Sequence, residues 1–195
     1  MDQHPAVPGP FNDPDIALML AFQNGDEPAF EQLVLKHQKA VLNVVYRYLG
    51  DRSRAEDGAQ DVFIKVYRAR HSYKPQAKFS TWLYRIAVNH CLNELRSRKS
   101  APAGPAPIDD VLEENVAHTP DAGLNRADLQ RAVKEAIDAL PENQRVAVIL
   151  ARYEELSYEE IAEAMQVSLE AVKSLLFRAK ENLKLRLQKW VSPDR

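Results

Sequence analysis

Arg85, Asn89, Asn93 and Arg96 recur at four- and three-residue steps, so on a helix they share one face. Asparagine and arginine side chains hydrogen-bond base edges, and arginine also neutralises phosphate. Close by, Tyr73, Phe79, Trp82 and Tyr84 are interleaved with Lys74, Lys78 and Arg85. Aromatic faces on which bases stack, beside cations that follow phosphates, suit single-stranded nucleic acid. Two readings of these aromatics are open at this point, base stacking and ordinary core packing. A second set, Lys173, Ser174, Phe177, Arg178 and Lys180, lies in a basic segment near the C-terminus. Catalytic chemistry has no comparable support. His4, His37, His71, His90 and His118 are scattered without ligand spacing, and no phosphate loop or nucleophile motif occurs. The expectation is a binding protein with no catalytic residue, no metal site and no cofactor, rather than an enzyme.

Charge patterning points the same way. The formal net charge of the 195 residues is −2, but it is unevenly spread. Nine basic residues and one acid, Glu94, lie between Lys65 and Lys99. Six basic residues and one acid, Glu181, lie between Lys173 and Lys189. Acids collect instead at Asp109–Glu114 and Glu154–Glu163. Two basic blocks in a near-neutral chain suggest two surfaces that meet a polyanion, with solvated helix faces as the plainer alternative. The single cysteine, Cys91, excludes an intramolecular disulfide and fits a reducing cytoplasm. The longest dense apolar stretch, Val146 to Ala151, is far short of the roughly 18–20 residues that a membrane span needs. The start of the chain, Met1 to Pro5, has neither the basic nor the apolar region of a signal peptide. A cytoplasmic protein without membrane insertion is expected.

These residues need helices to position them. Nearly every periodic segment repeats at 3.6 residues, and no strand pattern competes, so the expected class is all-α. Asp13 and Pro14 open a short helix to about Gln23; Asp26 and Pro28 start another that Gly50 ends. The cleanest amphipathic helix runs from Arg52 to His71. It buries Ala55, Ala59, Val62, Phe63, Val66 and Tyr67, opposite Glu56, Asp57, Gln60, Asp61, Lys65 and Arg68. After a loop, Ser72 to Lys78, Ser80 is expected to cap a helix to about Arg98. Prolines 102, 105, 107 and 120 forbid a continuous helix through the acidic stretch that follows. The expected organisation is a disordered N-terminus over residues 1–12, a helical domain over 13–99, a linker over 100–121 and a second helical domain over 122–190.

In the second domain, helices are expected from Leu124 to Leu140 and from Glu142 to Tyr153. Ser157-Tyr158-Glu159-Glu160 then reads as a capping box. It starts a short helix that carries Ile161, Ala162 and Met165. A brief turn, Gln166-Val167, leads to Ser168, an N-cap for a longer helix to about Lys189. Short helix, tight turn and longer basic helix make a helix-turn-helix, whose second helix enters the DNA major groove. An ordinary helical hairpin is the alternative. Glycine is common in such turns because one residue adopts positive φ; here Gln166 stands in that neighbourhood.

Three stretches in this order are similar to one family. They are Ala55-Glu56-Asp57-Gly58-Ala59-Gln60-Asp61-Val62-Phe63, then Phe79-Ser80-Thr81-Trp82-Leu83-Tyr84-Arg85-Ile86-Ala87-Val88-Asn89, then Leu140-Pro141 through Tyr158–Ala162 to Val172-Lys173-Ser174 and Phe177–Lys180. The chain resembles the bacterial extracytoplasmic-function sigma factors of the sigma-70 family over about Phe30 to Leu187. The resemblance implies a dissociable initiation subunit of RNA polymerase. It implies that the helix from Ala55 to Tyr67 docks on the clamp helices of the large polymerase subunit through Asp57, Gln60, Asp61 and Ile64. It implies that Tyr73, Lys78, Phe79, Trp82, Arg85, Asn89, Asn93 and Arg96 open and read the −10 element, engaging single-stranded DNA. It implies that Ser168, Lys173, Ser174, Phe177, Arg178 and Lys180 read the −35 duplex, and that an anti-sigma factor regulates the chain. The resemblance departs at Glu170-Ala171, where the family often has Gly-Thr, and at Leu175, where it often has Arg. A stand-alone helix-turn-helix regulator, which would bind duplex DNA without polymerase, is the competing expectation.

Overall fold

Asp13 begins two helices. Its Oδ1 accepts from the Asp15 amide at 3.0 Å and starts α1, Pro14–Gln23. Its Oδ2 accepts from the Phe79 amide at 2.9 Å, at the start of α4, Phe79–Ser100. Ser80 is therefore not the N-cap expected of it. The helix begins at Phe79, two residues before the Thr81 start that a Ser80 cap would give, and its orphan donor is satisfied by a carboxylate distant in sequence. The structure, a computed structural model, describes residues 13–100 and 123–191. The expectations of a disordered 1–12 and of an extended linker fall outside the described residues, as do His4 and His118.

Local capping sets the other boundaries. The Asp26 side chain accepts from the Ala29 amide and starts α2, Glu27–Leu49; Gly50, at φ 73°, stops it. The Asp51 side chain accepts from the Arg54 amide and starts α3, Arg52–Ala69. A 3-10 turn, Arg70–Ser72, takes up Arg70 and His71, the last two residues of the expected helix, with Ser72 from the expected loop. The second block comprises α5, Gly123–Asp138, α6, Glu142–Tyr153, α7, Tyr158–Met165, and α8, Leu169–Arg186. A last turn, α9, Gln188–Val191, is separated from α8 at Leu187, so the expected single helix to Lys189 is broken there. The described residues contain helices and no strand.

Packing follows the apolar stripes. In the first block Met19, Phe22, Leu33, Val41, Val45, Val62, Val66, Phe79 and Leu83 are fully buried. Each such side chain contributes about 1.5–3 kcal/mol of burial free energy. Phe22, Phe30 and Tyr67 add an aromatic cluster that ties α1, α2 and α3 together. α3 and α4 approach closely at Gly58, where a Cβ would lie 2.9 Å from His90 Nε2 and from Val45 Cγ1. In the second block Ile149, Leu150, Ile161 and Val172 form the centre.

The two blocks are packed together. α7 lies on α4, and α6 lies on α2. One buried cluster runs without interruption from Ile16 to Val172.

Candidate nucleic-acid and polymerase interfaces

The turn between α7 and α8 has the geometry of a helix-turn-helix. Ser157 Oγ accepts from the Glu160 amide at 3.2 Å, and Glu160 Oε2 accepts from the Ser157 amide at 2.8 Å, completing the capping box. Gln166 sits at φ 55°, ψ 45°, the left-handed region that the turn requires. Its amide and that of Val167 close the end of α7 on Glu163 and Ala162 carbonyls. Ser168 Oγ then accepts from the Ala171 amide at 3.1 Å and starts α8. Ile161, Ala164 and Val172 fill the space between the two helices, with Ala162, Met165 and Leu176 packed at its margin.

This scaffold presents one side of α8 to solvent. Lys173, Ser174, Phe177, Arg178 and Lys180 are all exposed, and Phe177 keeps 66% of its surface. Ser168 is exposed too, although its hydroxyl is engaged in the cap. Glu170 is exposed in the first turn, whereas Leu175 is half-buried.

The −10 set divides in two. Asn89, Asn93 and Arg96 are exposed and Arg85 is half-exposed, so the polar stripe along α4 is open. The aromatics are not: Phe79 is fully buried, Tyr73 is 4% exposed, and Trp82 is half-buried. Trp82 meets Tyr73 edge-on at 4.9 Å and Phe79 at 5.9 Å. The Phe79 ring also lies 5.3 Å from His37, whose Nε2 is 2.8 Å from Asp15 Oδ2. Core packing is thus how Phe79 and Tyr73 are used in this arrangement. Burial pushes the Tyr73 phenol up to about 12, with Asp13 and Asp15 adding to it. Lys78 is exposed, yet its Nζ lies 2.8 Å from Glu160 Oε1. Its pKa is raised, first by that hydrogen bond and then by the charge of Glu160. Burial raises the Glu160 carboxyl, but the bonds from Lys78 and Ser157 outweigh it, and the net shift is downward.

The docking set lies on the open side of α3. Asp57, Gln60, Asp61 and Ile64 are all exposed, Ile64 to 46%. Gln60 and Ile64 line a groove of about 780 Å³ between α2 and α3. Its apolar floor also includes Phe30, Val34, Leu42 and Phe63, and its rim carries Gln38, Lys39, Glu56 and Arg68. Asp57 and Asp61 do not line it; they stand one helical step away. Asp61 lies near His90, whose Nδ1 is 2.9 Å from Lys65 Nζ. Burial and then the Lys65 charge hold His90 below its ordinary value. The α2 half of the groove has no signal of its own in the sequence, because Phe30 and Val34 recur on the side of the helix that also holds the core residues Leu33, Val41 and Val45. Periodicity alone does not tell a covered stripe from an open one.

Comparison with known proteins fits this geometry. Residues 33–101 match the family model for sigma-70 region 2, and residues 130–183 match that for sigma-70 region 4. The RNA polymerase sigma-H factor of Pseudomonas aeruginosa is 37% identical over 185 residues, covering 89% of this chain and 94% of that protein. The ECF RNA polymerase sigma-E factor of Escherichia coli K12 is 36% identical over 184 residues, covering 89% and 94%. Two solved structures share the fold at 23% identity. CnrH, in complex with the cytosolic domain of CnrY, has a TM-score of 0.68 over 90% of this chain and 98% of that one. The sigma factor RpoE of Bartonella quintana, in complex with the anti-sigma factor NepR, has a TM-score of 0.64 over 82% and 96%. An open polar stripe on α4, an exposed basic face on α8 and two matched sigma-70 regions converge: the chain belongs to the extracytoplasmic-function sigma factors, which bind RNA polymerase and direct it to promoters.

Proposed function

We propose that this sigma factor holds core polymerase at the α2–α3 groove, reads the −10 element with α4 and reads the −35 element with α8. The observation that carries this reading is the separation of the three surfaces. The groove, the Arg85–Asn89–Asn93–Arg96 stripe and the Lys173–Lys180 face are each exposed, and none overlaps another. Helix-turn-helix geometry supports insertion of α8 into a major groove, with Lys173, Ser174, Phe177 and Arg178 toward the DNA. Asn89 and Asn93 supply donor and acceptor groups for the edges of bases freed from the stack. The polymerase element that enters the groove is taken to be the pair of clamp helices, since an apolar floor with a polar rim suits a helical partner. Asp57 and Asp61 would then form the acidic flank of the same contact.

The chain acts in this reading without catalytic chemistry of its own and works in the cytoplasm, where core polymerase is found. No described helix is long and apolar enough to cross a membrane. Sequestration by an anti-sigma factor is proposed as well, because CnrH, in complex with CnrY, and RpoE of Bartonella quintana, in complex with NepR, share its fold. Co-elution with core polymerase, followed by promoter footprinting, tests the whole. Specific protection is expected only with core present; protection by the chain alone would support a stand-alone regulator. Asp61→Arg should weaken co-elution by roughly tenfold while sparing the fold, as expected of an interfacial charge reversal. Unchanged core affinity in that variant would remove the acidic flank from the contact.

A further inference from the structure

α1 lies before the match to sigma-70 region 2, which begins at residue 33, yet both of its ends are tied to the entry of α4. At its N-terminus the Asp13 carboxylate accepts from two amides, that of Asp15 at 3.0 Å through Oδ1 and that of Phe79 at 2.9 Å through Oδ2. At its C-terminus the Gln23 side-chain amide donates to the carbonyls of Arg70 at 2.9 Å and Tyr73 at 3.3 Å. Near the first end, the buried Asp15 carboxylate takes Lys36 Nζ at 2.7 Å and His37 Nε2 at 2.8 Å, and so seats the His37 ring beside Phe79.

These ties converge on one side chain. Tyr73 and Phe79 flank the loop over 74–78, and the Trp82 ring packs on both of them. Tyr73, Phe79 and Tyr84 are buried, so of the four aromatics in this segment Trp82 keeps surface to offer a base. The Tyr73 hydroxyl is buried with no hydrogen-bond partner among the described residues. The polar ties of Tyr73 are on its backbone, from its amide to the Arg70 carbonyl at 3.3 Å and from Gln23 to its carbonyl. The ring therefore sits where the backbone puts it, and Gln23 holds that backbone. Phe79 takes its place from the first turn of α4, whose amide Asp13 holds from 66 residues away.

We propose that Asp13 and Gln23 are positioning residues for strand opening: from its two ends, α1 holds the Tyr73 and Phe79 walls on which Trp82 rests, and with them the end of α4 that meets bases as they leave the stack. The inference rests on the −10 reading given above. A base leaves the stack at a cost that a pocket and stacking offset, and a small misplacement of the groups that receive it forfeits much of the gain. Asp13 and Gln23 are half-buried, and neither lines the α2–α3 groove. Their loss therefore acts on opening and leaves docking on core alone.

The test uses the full-length chain with core polymerase on a promoter that the holoenzyme protects, and follows opening by permanganate reactivity of thymines in the −10 segment. Asp13→Asn keeps one acceptor oxygen in place of two, so it cannot hold both amides, while asparagine caps a helix as well as aspartate does. Gln23→Met keeps the length of the side chain and removes its donors. Each variant should slow opening roughly threefold to tenfold, the factor that one net hydrogen bond commands, and the pair together roughly tenfold or more. Core affinity, −35 protection and helical circular dichroism should stay unchanged. On the same promoter with a permanently mismatched −10 segment, where no base has to be won from the stack, the variants should match the wild type. If Gln23→Met does not fold, Asp13→Ser, which also keeps a single acceptor, carries the test beside Asp13→Asn. Opening at the wild-type rate in both Asp13 variants would overturn the brace. So would a slowing matched by an equal loss of core affinity, or one that persists on the mismatched promoter, since either marks a general defect of the fold. Asn89→Ala with Asn93→Ala separates the two readings. Normal opening in that variant fails the −10 reading itself, whereas slow opening there beside normal opening in the Asp13 variants fails only the brace.

Discussion

In the proposed reading α4 and α8 both meet DNA, yet they relate to the core in opposite ways. The proposed contact residues of α8 all lie outside the core, above a seam of Ile161, Ala164 and Val172 that holds the helix in place. α4 and the loop before it share their work. Phe79 and Tyr73 are inside, Trp82 is at the boundary, and only the Arg85–Arg96 stripe is open. The exposed face of α8 can therefore change without disturbing stability, whereas the aromatic end of α4 cannot change without disturbing the first block. Strand opening needs a rigid platform, because a base leaving the stack costs a few kcal/mol that only preorganised groups offset.

The sharpest way to break this contrast is Phe79→Ala. Removing a fully buried ring should destabilise the first block by about 3–5 kcal/mol, measured by urea unfolding. A loss below 1 kcal/mol would mean that Phe79 is not core and would reopen base stacking for it. Arg178→Ala is the matching change on α8. It should lower −35-dependent footprinting by roughly 1–3 kcal/mol, the range of one base contact, with the urea midpoint unmoved. An unchanged footprint would place the register of α8 in error.

Smaller effects sharpen the comparison. Gln166 holds a left-handed backbone that costs a non-glycine residue about 1–2 kcal/mol, partly offset by the greater freedom of glycine in the unfolded chain. Gln166→Gly should accordingly stabilise the second block by about 0.5–1 kcal/mol, seen as a higher melting temperature. The smallest change concerns His90 in the first block. Its folded-state pKa is depressed from 6.5, by burial first and the Lys65 charge second. The unfolded chain then takes up the proton first as pH falls. The contribution of neutral His90 is fully present above pH 6.5 and is lost as pH drops through the folded value. Unfolding midpoints measured between pH 7.5 and 5.5 should fall, and His90→Gln should flatten that slope.

Much of this molecule could be read from residue order. Caps at Asp13, Asp26, Ser157 and Ser168, the stop at Gly50 and the 3.6-residue stripes place the helices, because each depends on neighbours within a turn or two. The helix-turn-helix and the exposure of its basic face follow from the same local rules. Three features depended on residues far apart in the chain. Asp13 displaces Ser80 as the cap of α4, since a carboxylate 66 residues away reaches the Phe79 amide. The groove opens because packing leaves the Phe30–Val34–Leu42 stripe uncovered beside Phe63 and Ile64. The docking of α7 on α4, through Glu154 and Glu160, joins two blocks whose stripes each look complete in isolation. Local hydrogen bonding decides where a helix starts and which side is apolar. What covers that side is a choice among all the surfaces of the chain, settled by the total burial and charge pairing they achieve together.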